Sequence, residues 1–170
     1  YAMITDDIGD IIFMNLLLMI FWQLIVLILS MNLNPAFFNP KRGIYQERKW
    51  ERGGAFYTRV LKIKKWKDKV PQFVSKNGFS KRSLKGKIDK QYVEKFIFET
   101  CRAEWNHMMG SMYFIISFCV NSQPYAIIFS LISILGNLPF LCIQRFNRIR
   151  LCRLAKRATS TLPAVSNDTV

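Results

Sequence analysis

The sequence is short of acidic residues, of histidine and of paired cysteines. Against 25 Lys and Arg it holds 11 Asp and Glu, a formal net charge of +14, which excludes a disordered acidic chain. Four cysteines in 170 residues are too few for a disulfide scaffold. No CxxC or paired Cys/His spacing occurs and His107 is the only histidine, so neither a zinc site nor any other metal site is expected. The length excludes a multidomain enzyme, and no internal repeat is visible. Charge itself is absent from two stretches, between Asp10 and Lys41 and from Met108 to Gln144.

What is present is apolar. Hydrophobic residues make up 51% of a strongly basic chain, a pairing that requires charge and oil to be kept apart in space. Residues 11–33 are almost wholly aliphatic or aromatic, broken by Asn15, Gln23, Ser30 and Asn32. That is enough for one transmembrane helix, which needs about 20 apolar residues. A signal peptide is the competing reading, and the acidic flank Asp6, Asp7 and Asp10 argues against it. In the second zone, 108–143, the turn-like Asn121-Ser122-Gln123-Pro124 separates a short arm from a longer one. The zone predicts a helical hairpin, either crossing twice or re-entrant.

The basic residues set the expected orientation. Nineteen of the 25 fall in 41–102 and the other six in 145–157, none elsewhere. The positive-inside rule then places 34–106 and a tail of 144–170 in the cytoplasm. The expected fold is mainly α: one small polytopic membrane domain with an N-terminal transmembrane helix, a basic interfacial segment, a C-terminal hairpin and a tail whose end is disordered.

Within 34–106, Asn34-Pro35 and Asn39-Pro40 should end the first helix. The stretch 56–70 interleaves aromatics and aliphatics with Arg59 and five lysines. Read as a helix closed by Pro71, it has too wide an apolar face for water and suits a position half-sunk among head groups. Interleaved aromatic and basic residues are also the footprint of nucleic-acid binding, but neighbouring spans put this charge beside anionic lipid, and no nucleic-acid partner is expected. From Ser75 the chain reads as a flexible loop, and Asp89 as the N-cap of a helix that runs into the second apolar zone.

At that entry point stand Glu99-Thr100-Cys101-Arg102-Ala103-Glu104-Trp105-Asn106-His107. Helical spacing lets Glu99 meet Arg102, Arg102 meet Asn106, and Glu104 meet His107. A charged helix end that merely snorkels gives the same pattern; ionisable groups drawn into apolar surroundings favour a functional one. At the other end of the hairpin Asn137 and Pro139 should interrupt the last span, and Arg145, Asn147 and Arg148 follow. Arg145 and Arg148 are either a stop-transfer cluster or a phosphate grip, and the hairpin makes the two groups neighbours.

These blocks, taken in order, resemble the glycosyl-4,4'-diaponeurosporenoate acyltransferase family. The resemblance rests on the N-terminal apolar span, Trp50-Glu51 with a following Gly and Tyr57, Ile63 to Pro71, Glu99-Thr100-x-Arg102-Ala103-Glu104-x-x-His107, Asn137-x-Pro139 and Gln144 to Leu151. It implies a multi-pass enzyme of the bacterial cell membrane that esterifies a sugar hydroxyl of a glycosylated lipid, a carotenoid glycoside or another glycolipid, with a fatty acyl chain. The expected partners are membrane lipids, the glycolipid acceptor and an activated acyl donor such as acyl-CoA, with no cofactor.

No G-x-S-x-G occurs, and the residue five after His107 is Met112 rather than the Asp of an H-x4-D signature. The expected catalytic group is therefore His107 as general base, Glu104 holding its ring, and Glu99 either a third member or only the partner of Arg102. Arg102, Arg145 and Arg148 are expected on the donor's phosphates, and Asn106 or Asn137 at the developing oxyanion. Asn147, Trp66, Lys67 and Asp68 join the substrate-binding set through the motifs that contain them. The rival is a non-catalytic membrane protein, such as an accessory subunit gripping anionic lipid. A transporter fragment would have too few spans to form a pathway alone.

Overall fold

The computed structural model describes residues 7–70 and 90–160. The architecture is helical, with no strand among the described residues: α1 (Ile8–Asn32), α2 (Ala55–Arg59), α3 (Lys90–Ser111), α4 (Tyr113–Val120) and α5 (Tyr125–Ser160), with short 3-10 turns at Pro35–Phe38, Lys49–Gly54, Ile63–Lys65 and Lys67–Lys69. Asp89, Pro71 and the stretch from Ser75 lie outside the described residues.

Asp7 caps α1, its carboxylate accepting from the Gly9 amide at 2.8 Å. The helix stops at Asn32, where the chain turns extended and Asn34 Oδ1 accepts from the Ala36 amide. Its burial is inverted relative to a soluble helix. The buried positions are Ile11, Asn15, Val26 and Ser30, while Phe13, Ile20, Phe21, Ile28 and Met31 are exposed. The upper part of α5 repeats the pattern, with Ser130 and Ser133 buried and Leu131, Leu135 and Leu138 outside. Polar-in, apolar-out helices suit lipid, where backbone groups are satisfied within the helix and the outer face needs no water. Both α1 and α5 are long and apolar enough to cross a membrane.

α3 and α4 form one arm of the hairpin, bent at Met112, and α5 returns along them as the other arm. α5 runs without a break through Asn137 and Pro139 to Ser160, so those residues do not interrupt the last span, and the chain after 144 begins as helix. At the turn, Asn15 and Asn121 form a reciprocal amide pair, Nδ2 to Oδ1 at 2.8 and 2.9 Å, and the Tyr113 hydroxyl donates to Asn15 Oδ1 at 2.8 Å. This joins α1 to the hairpin tip.

The 55–70 segment departs from the single interfacial helix expected. α2 ends at Arg59, and Lys62 adopts a left-handed conformation (φ 48°) before two 3-10 turns. The cause lies in packing: Tyr57 and Ile63 are buried with Ile143, Phe146 and Ile149 of α5. Tyr57 and Ile63 thus face the protein's own core, while Val60 stays exposed. Upstream, Arg52, Gly53 and Gly54 are successively left-handed (φ 45°, 67° and 86°), a sharp reversal for which two glycines are suited.

Candidate active site

Two arginines one turn apart on α5, Arg145 and Arg148, tie that helix to α3 and to the loop before α2. Arg145 Nε and Nη2 donate to Glu51 Oε1 and Oε2, each at 2.8 Å. Nη2 also donates to the Gln46 carbonyl (3.0 Å), and Nη1 to Glu104 Oε1 (2.7 Å) and the Ile44 carbonyl (3.1 Å). A guanidinium has five N–H donors, and every one is engaged. Glu51 is fully buried and equally saturated: Oε1 also accepts from the Tyr57 hydroxyl (2.5 Å) and Oε2 from the Arg48 amide (2.6 Å).

Arg148, also buried, donates from Nε to the Tyr45 carbonyl at 2.9 Å, and its Nη2 stands against Glu104 Oε2 as an ion pair without hydrogen-bond geometry. Two carboxylates and two guanidiniums thus form a neutral buried cluster joining the 44–57 loop, α3 and α5. Such a cluster tolerates burial because each charge has an opposite partner.

Its electrostatics follow from this geometry. Burial alone raises the Glu51 carboxyl, but hydrogen bonds from Arg145, Tyr57 and Arg48 outweigh it and hold the group below its ordinary value. Tyr57 is pushed up by burial and by its bond to the Glu51 carboxylate. Tyr45 is pushed up to about 12, chiefly by burial.

The arrangement changes the expected roles. Arg145 and Arg148 already hold the protein's own carboxylates, so a phosphate at Arg145 would have to displace Glu51 or Glu104. Glu104 is turned to α5 and engaged there rather than with the His107 ring. Of the expected i,i+3 pairs, Glu99–Arg102 forms, at 2.7 Å, with Arg102 partly exposed.

His107 stands one turn beyond Glu104 and pairs instead with α5. Its Nδ1 lies 3.0 Å from Asn137 Oδ1, while Asn137 Nδ2 donates to the Ser133 carbonyl at 3.0 Å. That second bond orients the amide so that its oxygen faces the imidazole. An oxygen acceptor there selects the Nδ1–H tautomer, leaving Nε2 as the basic nitrogen. The ring stacks on Phe140, centroids 4.8 Å apart and planes 14° from parallel. Side-chain amides crowd the Gly110 position: a Cβ there would stand 2.5 Å from Gln23 Oε1 and 3.2 Å from Asn137 Oδ1.

The remaining predicted residues are dispersed. Asn106 is half-buried with its Oδ1 lacking a donor, and Asn147 is half-buried on α5. Trp66 donates to the Leu61 carbonyl at 2.8 Å and packs with Tyr57 and Ile63, while Lys67 pairs with the adjacent Asp68 at 2.6 Å. Among the described residues no group of three or more His, Cys, Asp or Glu is placed to hold a metal ion. Sequence reasoning assigned no role to Glu51, Tyr45 or Gln23. For Glu51 the one available signal was a carboxylate in an aromatic, glycine-rich motif.

The model of the family described as glycosyl-4,4'-diaponeurosporenoate acyltransferase matches residues 41–157, which contain both the charge cluster and the His107–Asn137 pair. The chain is 29% identical over 138 residues to the glycosyl-4,4'-diaponeurosporenoate acyltransferase of Staphylococcus aureus strain bovine RF122 / ET3-1, covering 79% of this chain and 81% of that protein. The protein of the same description from strain N315 is likewise 29% identical, over 136 residues and the same shares. No solved structure matches. A family match spanning this much of the chain, including its buried charge cluster, makes this protein an acyltransferase belonging to the glycosyl-4,4'-diaponeurosporenoate acyltransferase family.

Proposed function

We propose that the protein esterifies a sugar hydroxyl of a membrane glycolipid, a carotenoid glycoside or a related lipid-linked sugar, with a fatty acyl chain drawn from a thioester donor such as acyl-CoA. The observation that carries this reading is the His107–Asn137 pair, which presents a basic nitrogen where α3 meets the apolar zone. His107 Nε2 takes the proton as the acceptor oxygen attacks the acyl carbonyl carbon. The C–S bond breaks, and the imidazolium returns the proton to the departing thiolate. Asn137 is a positioning residue, fixing the tautomer.

The one-sided distribution of the basic residues supports a reaction at the cytoplasmic face of the bacterial cell membrane. Arg102, whose pairing with Glu99 leaves it partly exposed, and the lysines around Lys67 attract the donor's phosphates. Glu104, Arg145 and Arg148 act by holding α3 and α5 in register.

The test compares lipid extracts from cells with and without the protein by mass spectrometry. One glycolipid should gain an acyl mass, and His107→Gln should abolish that gain in a folded, membrane-inserted protein. Full turnover by the variant would remove the mechanism; no shifted lipid would favour an accessory lipid-binding role.

A further inference from the structure

The polar side chains in the uncharged part of α1, 11–32, have hydrogen-bond partners with one exception beside the candidate site. Asn15 pairs with Asn121, the Trp22 indole donates to the Met109 carbonyl at 3.0 Å, and Ser30 and Asn32 donate to carbonyls of their own helix. Gln23 is half-buried in the middle of this apolar helix and has no hydrogen-bond partner among the described residues. An amide without a partner at bilayer depth is unfavourable and marks a site of use.

Its position indicates the use. Gln23 Oε1 lies 2.5 Å from the point a Gly110 Cβ would occupy, and Asn137 Oδ1 and Nδ2 lie 3.2 and 3.4 Å from that same point. Gln23 on α1, Gly110 on α3 and Asn137 on α5 therefore converge, with His107 bonded to Asn137. Asn137 has both ends of its amide engaged, Oδ1 by the imidazole and Nδ2 by the Ser133 carbonyl. Asn106, the other residue expected at the oxyanion, has its buried acceptor oxygen without a donor. Gln23 reaches this convergence with its Oε1 nearest Gly110 and with neither end of its amide hydrogen-bonded among the described residues, so its Nε2 donors remain to be used. A neutral N–H donor in an apolar, pre-formed setting is what a developing oxyanion requires.

We propose that Gln23 is a substrate-contacting residue that donates its amide N–H to the acyl carbonyl oxygen as that oxygen gains negative charge, with Gly110 keeping the intervening space open. The inference rests on His107 being the base of acyl transfer. It also gives α1 a chemical task, in a part of the chain outside the 41–157 family match.

The experiment uses the full chain in nanodiscs, with palmitoyl-CoA and glycosyl-4,4'-diaponeurosporenoate as probes. Gln23→Leu should lower kcat by about 100-fold with KM and the pH profile unchanged, and should leave the thermal midpoint as high as wild type or higher, because an unpartnered amide is lost. Gly110→Ala should lower kcat in the same way by pushing aside the flexible end of Gln23. Wild-type kcat in Gln23→Leu, or a rate loss matched by loss of folded protein, overturns the inference. His107→Gln separates the two readings: if it is inactive while Gln23→Leu is fully active, only the Gln23 role fails. If His107→Gln is active, or if the wild type transfers no acyl group between these probes, the underlying reading fails as well.

Discussion

Arg145 grips both oxygens of Glu51 at 2.8 Å across 94 residues of sequence. The pair joins α5 to the loop before α2, and both partners are otherwise filled, so the ion pair is a structural tie.

Breaking it should therefore cost stability more than binding. Glu51→Gln or Arg145→Met leaves an opposite charge buried and uncompensated, an expected loss of about 3–5 kcal/mol. Replacing both with apolar residues of similar volume should recover much of that loss. Thermal unfolding in nanodiscs by intrinsic fluorescence would measure both, and equal losses in the single and double variants would contradict the assignment.

The same carboxylate predicts an acid limit. Its folded-state value is held below the ordinary 4.5, so its contribution is complete above that value and is lost as pH falls through the depressed one. The thermal midpoint of the wild type should drop as the pH falls below 4.5, and that of Glu51→Gln should drop less. Parallel curves would show that other groups set the limit.

His107→Gln should reduce turnover by about 100-fold or more, with stability little changed. Asn137→Ala removes the acceptor that selects the tautomer and should lower kcat by roughly 10-fold to 100-fold with little effect on KM. Nitrogen NMR of the labelled imidazole would check the cause: the variant should show a mixture of tautomers where the wild type shows Nδ1–H.

Gly53→Ala should destabilise by about 1 kcal/mol, since φ is 67° and the new methyl must also displace the exposed end of Arg153. Gly43→Ala is the control, with nothing within 4 Å and no left-handed backbone, and its thermal midpoint should match the wild type.

Sequence patterns revealed what depends on near neighbours and on composition. α1 was expected at 11–33 and stands at Ile8–Asn32, because a charge-free run and an Asn-Pro breaker fix both ends. The hairpin and its reversal point were legible for the same reason. Helical spacing foresaw Glu99–Arg102 but misdirected Glu104, whose partners stand 41 and 44 positions away on α5. Spacing along one helix cannot rank a neighbour one turn away against a guanidinium brought in by tertiary packing. The 55–70 segment was misread because its apolar residues suit an interfacial helix and a core-packed irregular lobe equally well. Only contact with Ile143 and Phe146 decides between them.

The amide pair between Asn15 and Asn121 carries a consequence for what α1 is. Turning a helix by one residue rotates its faces by about 100°, so a lock at Asn15 fixes the compass bearing of Gln23, about 12 Å further along. An anchor needs only length and oil, whereas this helix is keyed. A generic polyleucine span in its place should keep the protein in the membrane and silence it.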